Sequence, residues 1–318
     1  MTLNTVQFEA QLLMVSPVHI GSGLQLTKKE YMFEKEGVYF PDLGKLYAYI
    51  LANYPSLVTE FEAVAMGKSQ LSLKRFLDKH RIDERDFGGY RISMNKEERI
   101  TSDVHQFIRN AYQKPYIPGS SLKGALRTVI SYQKGWFDDS NNKFFAGIRV
   151  SDSAPISNNQ LILCKKYQLA SHSSKSPKSL NVIRECLKPT TKVRFTITAE
   201  GPEQIETLSE MDDLCKKHYQ SYYDYFLKDL DPIYIQNIVK GPAPFIYLGG
   251  GAGFWTKVLL EHGDPSRHQR GKKGMVDKGL YKLTKAPGEK LKSIPLIKNQ
   301  AGFYEMGKCI LGVKRKED

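Results

Sequence analysis

Three short segments hold the residues best suited to chemistry. In Val18-His-Ile-Gly-Ser-Gly23, His19 stands beside Gly21, Ser22 and Gly23. Glycines two apart let backbone amides turn toward a phosphate. The imidazole suits stacking on a base, donating to phosphate, or general-base work. A turn histidine bonded to its own loop is the plainer reading of the same residues. In Ile117-Pro-Gly-Ser-Ser-Leu-Lys-Gly-Ala-Leu-Arg127, a Pro-Gly turn leads into a helix. Ser120 or Ser121 is the expected N-cap. The N–H groups and dipole of such a helix start favour an anion. Lys123 and Arg127 fall at i and i+4 beside Gly124, over which a phosphate backbone can approach closely. The plainer reading is a capped core helix with a solvated basic face. In Leu248-Gly-Gly-Gly-Ala-Gly-Phe-Trp-Thr-Lys257, Gly249, Gly250, Gly251 and Gly253 permit close backbone approach. Phe254 and Trp255 suit stacking on unpaired bases, and Lys257 suits a phosphate. Here the alternative is a tight turn whose aromatics fill the core.

Several familiar chemistries are missing. Gly119 and Gly124 have P-loop spacing, but Ala125 occupies the lysine position, which argues against a nucleoside triphosphatase. The late glycines do not form GxGxxG, and no Rossmann unit surrounds them. HExxH, GxSxG and the deaminase HxE…PCxxC pattern do not occur. The pairs Asp138-Asp139 and Asp212-Asp213 read as surface carboxylates rather than metal ligands. Cys164, Cys186, Cys215 and Cys309 are dispersed, without CxxC or zinc-finger spacing. They read as buried thiols in a reducing compartment. No metal or cofactor is expected.

Charge supports the anion theme. Lys and Arg number 47 against 34 Asp and Glu, a formal net charge of +13 over 318 residues. Such an excess repels itself unless a polyanion offsets it. Nucleic acid is the first candidate and a membrane surface the second. Two stretches concentrate the charge. Lys165, Lys166, Lys175, Lys178, Arg184, Lys188, Lys192 and Arg194 are opposed only by Glu185. Near the end, Arg267, Arg270, Lys272, Lys273, Lys278, Lys282, Lys285, Lys290 and Lys292 face only Asp277 and Glu289. A charge run is usually a solvated face. Interleaved His268, Tyr281 and glycines suit a loop that wraps a nucleic-acid backbone.

The elements that must hold these segments follow from periodicity. Val6, Phe8, Ala10, Leu12 and Met14 alternate, which predicts a half-buried strand. Tyr31 to Glu34 and Val38 to Phe40 read as a hairpin about Lys35-Glu36-Gly37. Asp42 to Met66 reads as helix interrupted at Pro55, and Leu71 to His80 as a shorter one. Leu122, Ala125, Leu126, Val129 and Ile130 mark the apolar face of a helix that Gly135 stops. Phe144 to Val150, Gln160 to Leu169 and Val193 to Ala199 are expected strands. Ala170 to Asn181 lacks an apolar period and is expected to be a mobile loop. Leu208 to Phe226 reads as one long amphipathic helix, suited to a core or to a docking face. Mixed strands and helices predict an α+β fold. The N-terminus lacks a signal-peptide core and no apolar run reaches membrane-span length, so a soluble cytoplasmic protein is expected.

Together, His19 to Gly23, Ile117 to Arg127 and Gly249 to Gly253 resemble the RAMP superfamily of CRISPR proteins, in the right order. The resemblance implies two RRM-like ferredoxin folds with helical insertions and Gly-rich loops. The expected division is 1–152, with an insertion at about 42–110, and 153–318 with the basic loops. It further implies RNA binding through His19, Gly21, Ser22, Gly23, Ser120, Ser121, Lys123, Gly124, Arg127, Gly249, Gly250, Gly251, Gly253, Phe254, Trp255 and Lys257. Within the superfamily the chain is similar to the crRNA 3′-end subunits of type III-A Csm complexes. Three features carry this: the chain's length, the hairpin running into Pro41-Asp42 and Lys45-Leu46, and Phe254-Trp255-Thr-Lys257 after the glycines. The implied partners are crRNA, target RNA, other Csm subunits (chiefly the RAMP backbone subunit) and host nucleases that mature the crRNA 3′ end. The related backbone subunit cuts target RNA with an Asp soon after its His-Ile-Gly motif. Gly21 to Glu30 contains no Asp, so no target cleavage is expected. The alternatives are a metal-independent endoribonuclease using His19, another RAMP backbone subunit, or a pure protein-interaction subunit.

Overall fold

The computed structural model describes residues 5–35, 37–94, 100, 102–136, 141–168, 178–224, 243–253, 256, 282–285 and 303–317. The first sheet is built on β1 (Thr5–Met14), where the alternating apolar residues turn inward as expected. Its strand order is β11 (Phe245–Tyr247), β14 (Lys308–Arg315), β1, β10 (Lys192–Glu200) and β7 (Ile148–Val150). All four pairings are antiparallel. Between β1 and β7 in the chain lies helix α4 (Gly119–Lys134). Between β10 and β14 lie α6 (Pro202–Ser209) and α7 (Met211–Tyr222).

The second sheet runs β2 (Gly21–Leu26), β6 (Val104–Phe107), β9 (Lys178–Leu187), β8 (Leu161–Gln168), β5 (Gly89–Met94), β4 (Gly37–Pro41) and β3 (Met32–Phe33). β12 (Lys282–Lys285) adds to β8, and β13 (Phe303–Glu305) to β12. Both sheets draw strands from either side of residue 152, so the expected division there is not a boundary between sheets. One apolar core joins them, including Phe8, Leu12, Phe40, Phe107, Leu126, Leu163, Phe195 and Leu311.

The helical insertion is shorter than expected. Helices α1 (Leu43–Asn53), α2 (Val58–Ala65) and α3 (Leu73–His80) fill it, while β5 and β6 return to the sheet. Asp42 caps α1 by accepting from the Lys45 N–H, and Ser72 caps α3. Leu46, Ile50, Phe61, Phe76 and Phe87 close a second core under these helices. Truncating a buried phenylalanine such as Phe76 costs about 3–5 kcal/mol.

Three further expectations change. Phe144 to Val150 is a helical turn, α5 (Asn142–Ala146), followed by β7. The adjacent Phe144 and Phe145 both pack on Trp136, with ring centroids 5.0 and 6.0 Å away. Successive strand residues point to opposite faces, so two buried neighbours suit a helical turn better. Leu208 to Tyr222 is two helices broken at Glu210, and α7 buries Met211, Cys215, His218, Tyr219 and Tyr222. Tyr225 and Phe226 lie outside the described residues. Residues 178–181 of the expected loop belong to β9, and 170–177 lie outside the described residues. Among the described residues no helix is long and apolar enough to cross a membrane.

Candidate nucleic-acid interface

The three segments meet at one groove. Its volume is about 340 Å³, and its lining includes Gly21, Ser120, Ser121, Gly124, Gly249 and Gly250. Main-chain bonds fix the meeting. Val18 and Leu187 exchange backbone hydrogen bonds of 3.2 and 2.7 Å, which seats His19 against β9. The Gly250 N–H donates to the His19 carbonyl at 2.7 Å. Gly249 adopts φ +75°, and a Cβ there would stand 2.0 Å from that same carbonyl. Only glycine lets the loop lie this close to the His19 segment.

His19 is 4% exposed. Its Nδ1 donates to the backbone carbonyl of Glu185 at 2.7 Å. A carbonyl only accepts, so Nδ1 carries the proton and Nε2 presents a lone pair. Burial lowers its pKa to about 4 against the opposing bond to the Glu185 carbonyl, with smaller lowering contributions from Arg184 and His105. With Nδ1–H committed to Glu185 and the ring neutral near pH 7, no imidazole N–H is left to donate to a phosphate.

Helix α4 is positioned by its own glycine. A Cβ on Gly119 would lie 2.2 Å from the Val150 carbonyl oxygen, so the helix start presses directly on β7. The N-cap is Pro118 rather than Ser120 or Ser121. Asp152 Oδ1 accepts the Gly119 N–H at 2.8 Å, doing from β7's far end what a capping serine would have done. Ser120 and Ser121 line the groove instead. Gly124 is exposed, with nothing within 4 Å of where a Cβ would stand, and the groove wall is open there. Lys123 and Arg127 do not line the groove. They flank it: Arg127 lies over the Phe145 ring at 5.1 Å, and burial and Arg127 together lower the Lys123 pKa.

The remaining residues divide. Gly21 begins β2 and is not part of a free loop; it pairs with Phe107 before the register shifts. The Ser22 hydroxyl donates to the Gln106 carbonyl at 3.3 Å and accepts the Leu24 N–H, so it braces β2 on β6. Gly23 is exposed at φ +89°, with no neighbour where a side chain would stand. Gly251 and Gly253 both adopt φ +97°, and Gly251 lies against Met306. Phe254, Trp255 and Lys257 lie outside the described residues, as does most of the late basic stretch.

Glu185, Arg184 and His105 surround His19 without lining the groove; Arg184 belongs to the first basic stretch, whereas Glu185 and His105 carried no expected role. Glu185, the lone acid of its basic stretch, is fully buried. Its carboxylate accepts from the Phe107 N–H at 2.9 Å, the Tyr90 hydroxyl at 2.7 Å and Arg109 at 3.3 Å. Burial raises its pKa, and Arg109, the Phe107 N–H and Tyr90 oppose that rise. Arg109 is itself 3% exposed and lies 3.7 Å over the Tyr90 ring. Arg184 pairs in register with His105 of β6. Its Nη1 is buried without a hydrogen-bond partner, and burial lowers its pKa. Its isolation in a basic stretch was the one signal that pointed to Glu185.

The His-Ile-Gly segment, the Ser-Ser-Leu-Lys-Gly helix start and the glycine loop thus surround one groove of an α+β fold. The chain matches the RAMP superfamily over residues 11–253 and belongs to it. It is 36% identical to the CRISPR system Cms protein Csm5 of Streptococcus thermophilus, over 96% of this chain and 97% of that one. It is 26% identical to Csm5 of Mycobacterium tuberculosis strain H37Rv, over 98% of each. Its fold resembles a chain in the cryo-EM structure of a Csm–crRNA–target RNA ternary complex of a type III-A CRISPR-Cas system. There the TM-score is 0.65 and the identity 16%, over 96% of this chain and 100% of that one. The crystal structure of T. onnurineus Csm5 gives a TM-score of 0.55 at 16% identity, over 94% and 99%.

Proposed function

We propose that this chain is a non-catalytic, RNA-binding subunit of a type III-A CRISPR (Csm) complex. It caps the backbone filament at the crRNA 3′ end and supports crRNA 3′ maturation. Its partners are crRNA, target RNA, the neighbouring Csm subunits and the host nucleases that trim the end, in the cytoplasm. The observation that carries this is the convergence of three distant segments on one groove whose described lining includes no carboxylate. Relatives named Csm5 cover nearly the whole chain, which supports the subunit assignment. The first sheet supports an RRM-like ferredoxin unit. Four of its five strands run β1-helix-β7-β10-helix-β14 in sequence and β14-β1-β10-β7 in space, with β11 added outside β14.

A catalytic role is disfavoured by the state of the histidines. Acid–base cleavage of RNA needs one protonated partner near neutral pH. Burial lowers the pKa of both His19 and His105, so neither imidazole is held protonated.

The test is Gly124→Asp, which places a carboxylate on the open groove wall without a steric clash. In the reconstituted complex, crRNA retention falls at least about tenfold while the unfolding midpoint of the chain holds. Unchanged retention contradicts the assignment of the groove.

A further inference from the structure

Adjacent glycines of the late loop cover two different side chains. A Cβ on Gly250 would lie 3.1 Å from His19 Cδ2, and one on Gly21 would lie 3.1 Å from His19 Nε2. Both glycines line the groove, and the Cδ2–Nε2 edge of the ring stands directly behind these two positions that lack side chains. Nδ1 is committed to the Glu185 carbonyl, which leaves Nε2 as an acceptor with no hydrogen bond to any described residue. One residue along, a Cβ on Gly251 would lie 3.4 Å from Arg184 Nη1. That nitrogen is buried and unpartnered. Arg184 is half-buried, and a guanidinium nitrogen left without a partner is costly; a water or an anion can complete it, and the anion makes the stronger, charge-assisted bond.

We infer that His19 and Arg184 form a ribose–phosphate subsite. His19 Nε2 accepts from a 2′-hydroxyl, and Arg184 pairs with the adjoining phosphate. The inference rests on the groove being the RNA site, and it adds a reason for the groove to prefer RNA. A lone pair at Nε2 repels phosphate oxygens and accepts only from a donor. On a sugar–phosphate backbone the 2′-hydroxyl is the donor that DNA lacks. The low pKa of His19 keeps that lone pair available across the physiological range. Arg184 adds charge without sequence information, as backbone contacts do.

The experiment uses the full chain, a single-stranded RNA oligonucleotide and its all-2′-deoxy counterpart, at several salt concentrations. The native chain binds the RNA about two- to tenfold more tightly, the range expected of one hydrogen bond. His19→Asn keeps a donor for the Glu185 carbonyl but removes Nε2. It brings the RNA-to-DNA ratio toward one and leaves DNA affinity unchanged. Arg184→Gln weakens both polymers, preserves the ratio, and lowers the salt slope by about 0.7, the value of one single-strand phosphate contact. Single 2′-deoxy substitutions scanned along the RNA give a readout on the native chain alone, and one position shows the roughly two- to tenfold loss. Equal binding of RNA and DNA by the native chain, or a scan with no sensitive position, overturns the subsite and leaves the groove reading standing. A chain that binds neither polymer, alone or in the complex, overturns both.

Discussion

His19 and Glu185, 166 positions apart, are joined by a 2.7 Å hydrogen bond from the imidazole Nδ1 to the backbone carbonyl. The bond joins the segment after β1 to the C-terminal end of β9, so it ties together strands from the two sheets. It uses the main chain of Glu185 and leaves the carboxylate to organise Tyr90, Phe107 and Arg109 on its own account. One residue therefore supports the site twice, through independent atoms.

That independence is measurable. Glu185→Ala leaves a nearly buried guanidinium at Arg109, held by the Gln113 carbonyl and Asn158. The expected loss is about 3–5 kcal/mol, the cost of breaking a buried ion pair from one side. Urea unfolding at neutral pH checks it. Below the unfolding transition the variant keeps its RNA-to-DNA preference, because the carbonyl that orients His19 is still there. A loss of under about 1 kcal/mol would mean that the carboxylate network carries little of the fold.

Two glycines of α4 are expected to respond oppositely. A Cβ on Gly119 meets backbone oxygens of Val150 and Ser151 at 2.2 and 2.6 Å, neither of which can swing aside. Gly119→Ala is therefore destabilising, on the order of 2–3 kcal/mol. Gly124 is an exposed helix-interior glycine with open space around it. Gly124→Ala stabilises by up to about 1 kcal/mol. It also raises the groove wall, so RNA affinity falls as the melting temperature rises. Thermal melts paired with RNA titrations show whether the two effects separate in this way.

Stability should decline in mild acid. Burial lowers the pKa of both His19 and His218 from 6.5 to about 4. Between those values the unfolded chain takes up protons that the folded chain refuses, so unfolding is favoured as pH falls from about 6.5 toward 4. At pH 5 each histidine costs on the order of 2 kcal/mol. His218 packs edge-on to Tyr132 with its Nδ1 buried and unpartnered, so His218→Met removes a titrating group without breaking a hydrogen bond there. Urea midpoints at pH 7 and pH 5 should fall by less in His218→Met than in the native chain. Identical declines would remove His218 from the account.

Elements whose pattern is local were legible in the sequence. Alternation gave β1 and β10, the apolar stripe and Gly135 gave α4, and Pro55 marked the break between α1 and α2. Elements defined by distant partners were not. β2, β5 and β6 are short and partly polar. They become strands by pairing across the chain: β2 with β6, β6 with β9, and β5 with β4 and β8. The same limit applied to the site. The motifs located the groove, because glycines and a helix start announce themselves locally. The basic stretch already included Arg184, but its place beside His105 and behind His19 comes only from the parallel pairing of β6 with β9, which no spacing along the chain encodes. The capping of α4 by Asp152 likewise depends on how β7 returns. The i, i+4 spacing puts Lys123 and Arg127 on one helix face beside Gly124, but which face meets the groove depends on how the helix packs, and the groove lies against the neighbouring one.

The most direct test of the groove as the RNA site is an ultraviolet crosslink map of the reconstituted complex, read by mass spectrometry on the protein and by sequencing on the RNA. The account predicts crosslinked peptides containing Gly21, Ser120 and Ser121, or Gly249 and Gly250, joined to the 3′ portion of the crRNA. Crosslinks confined to the α1–α3 insertion, or spread evenly along the guide, would contradict it.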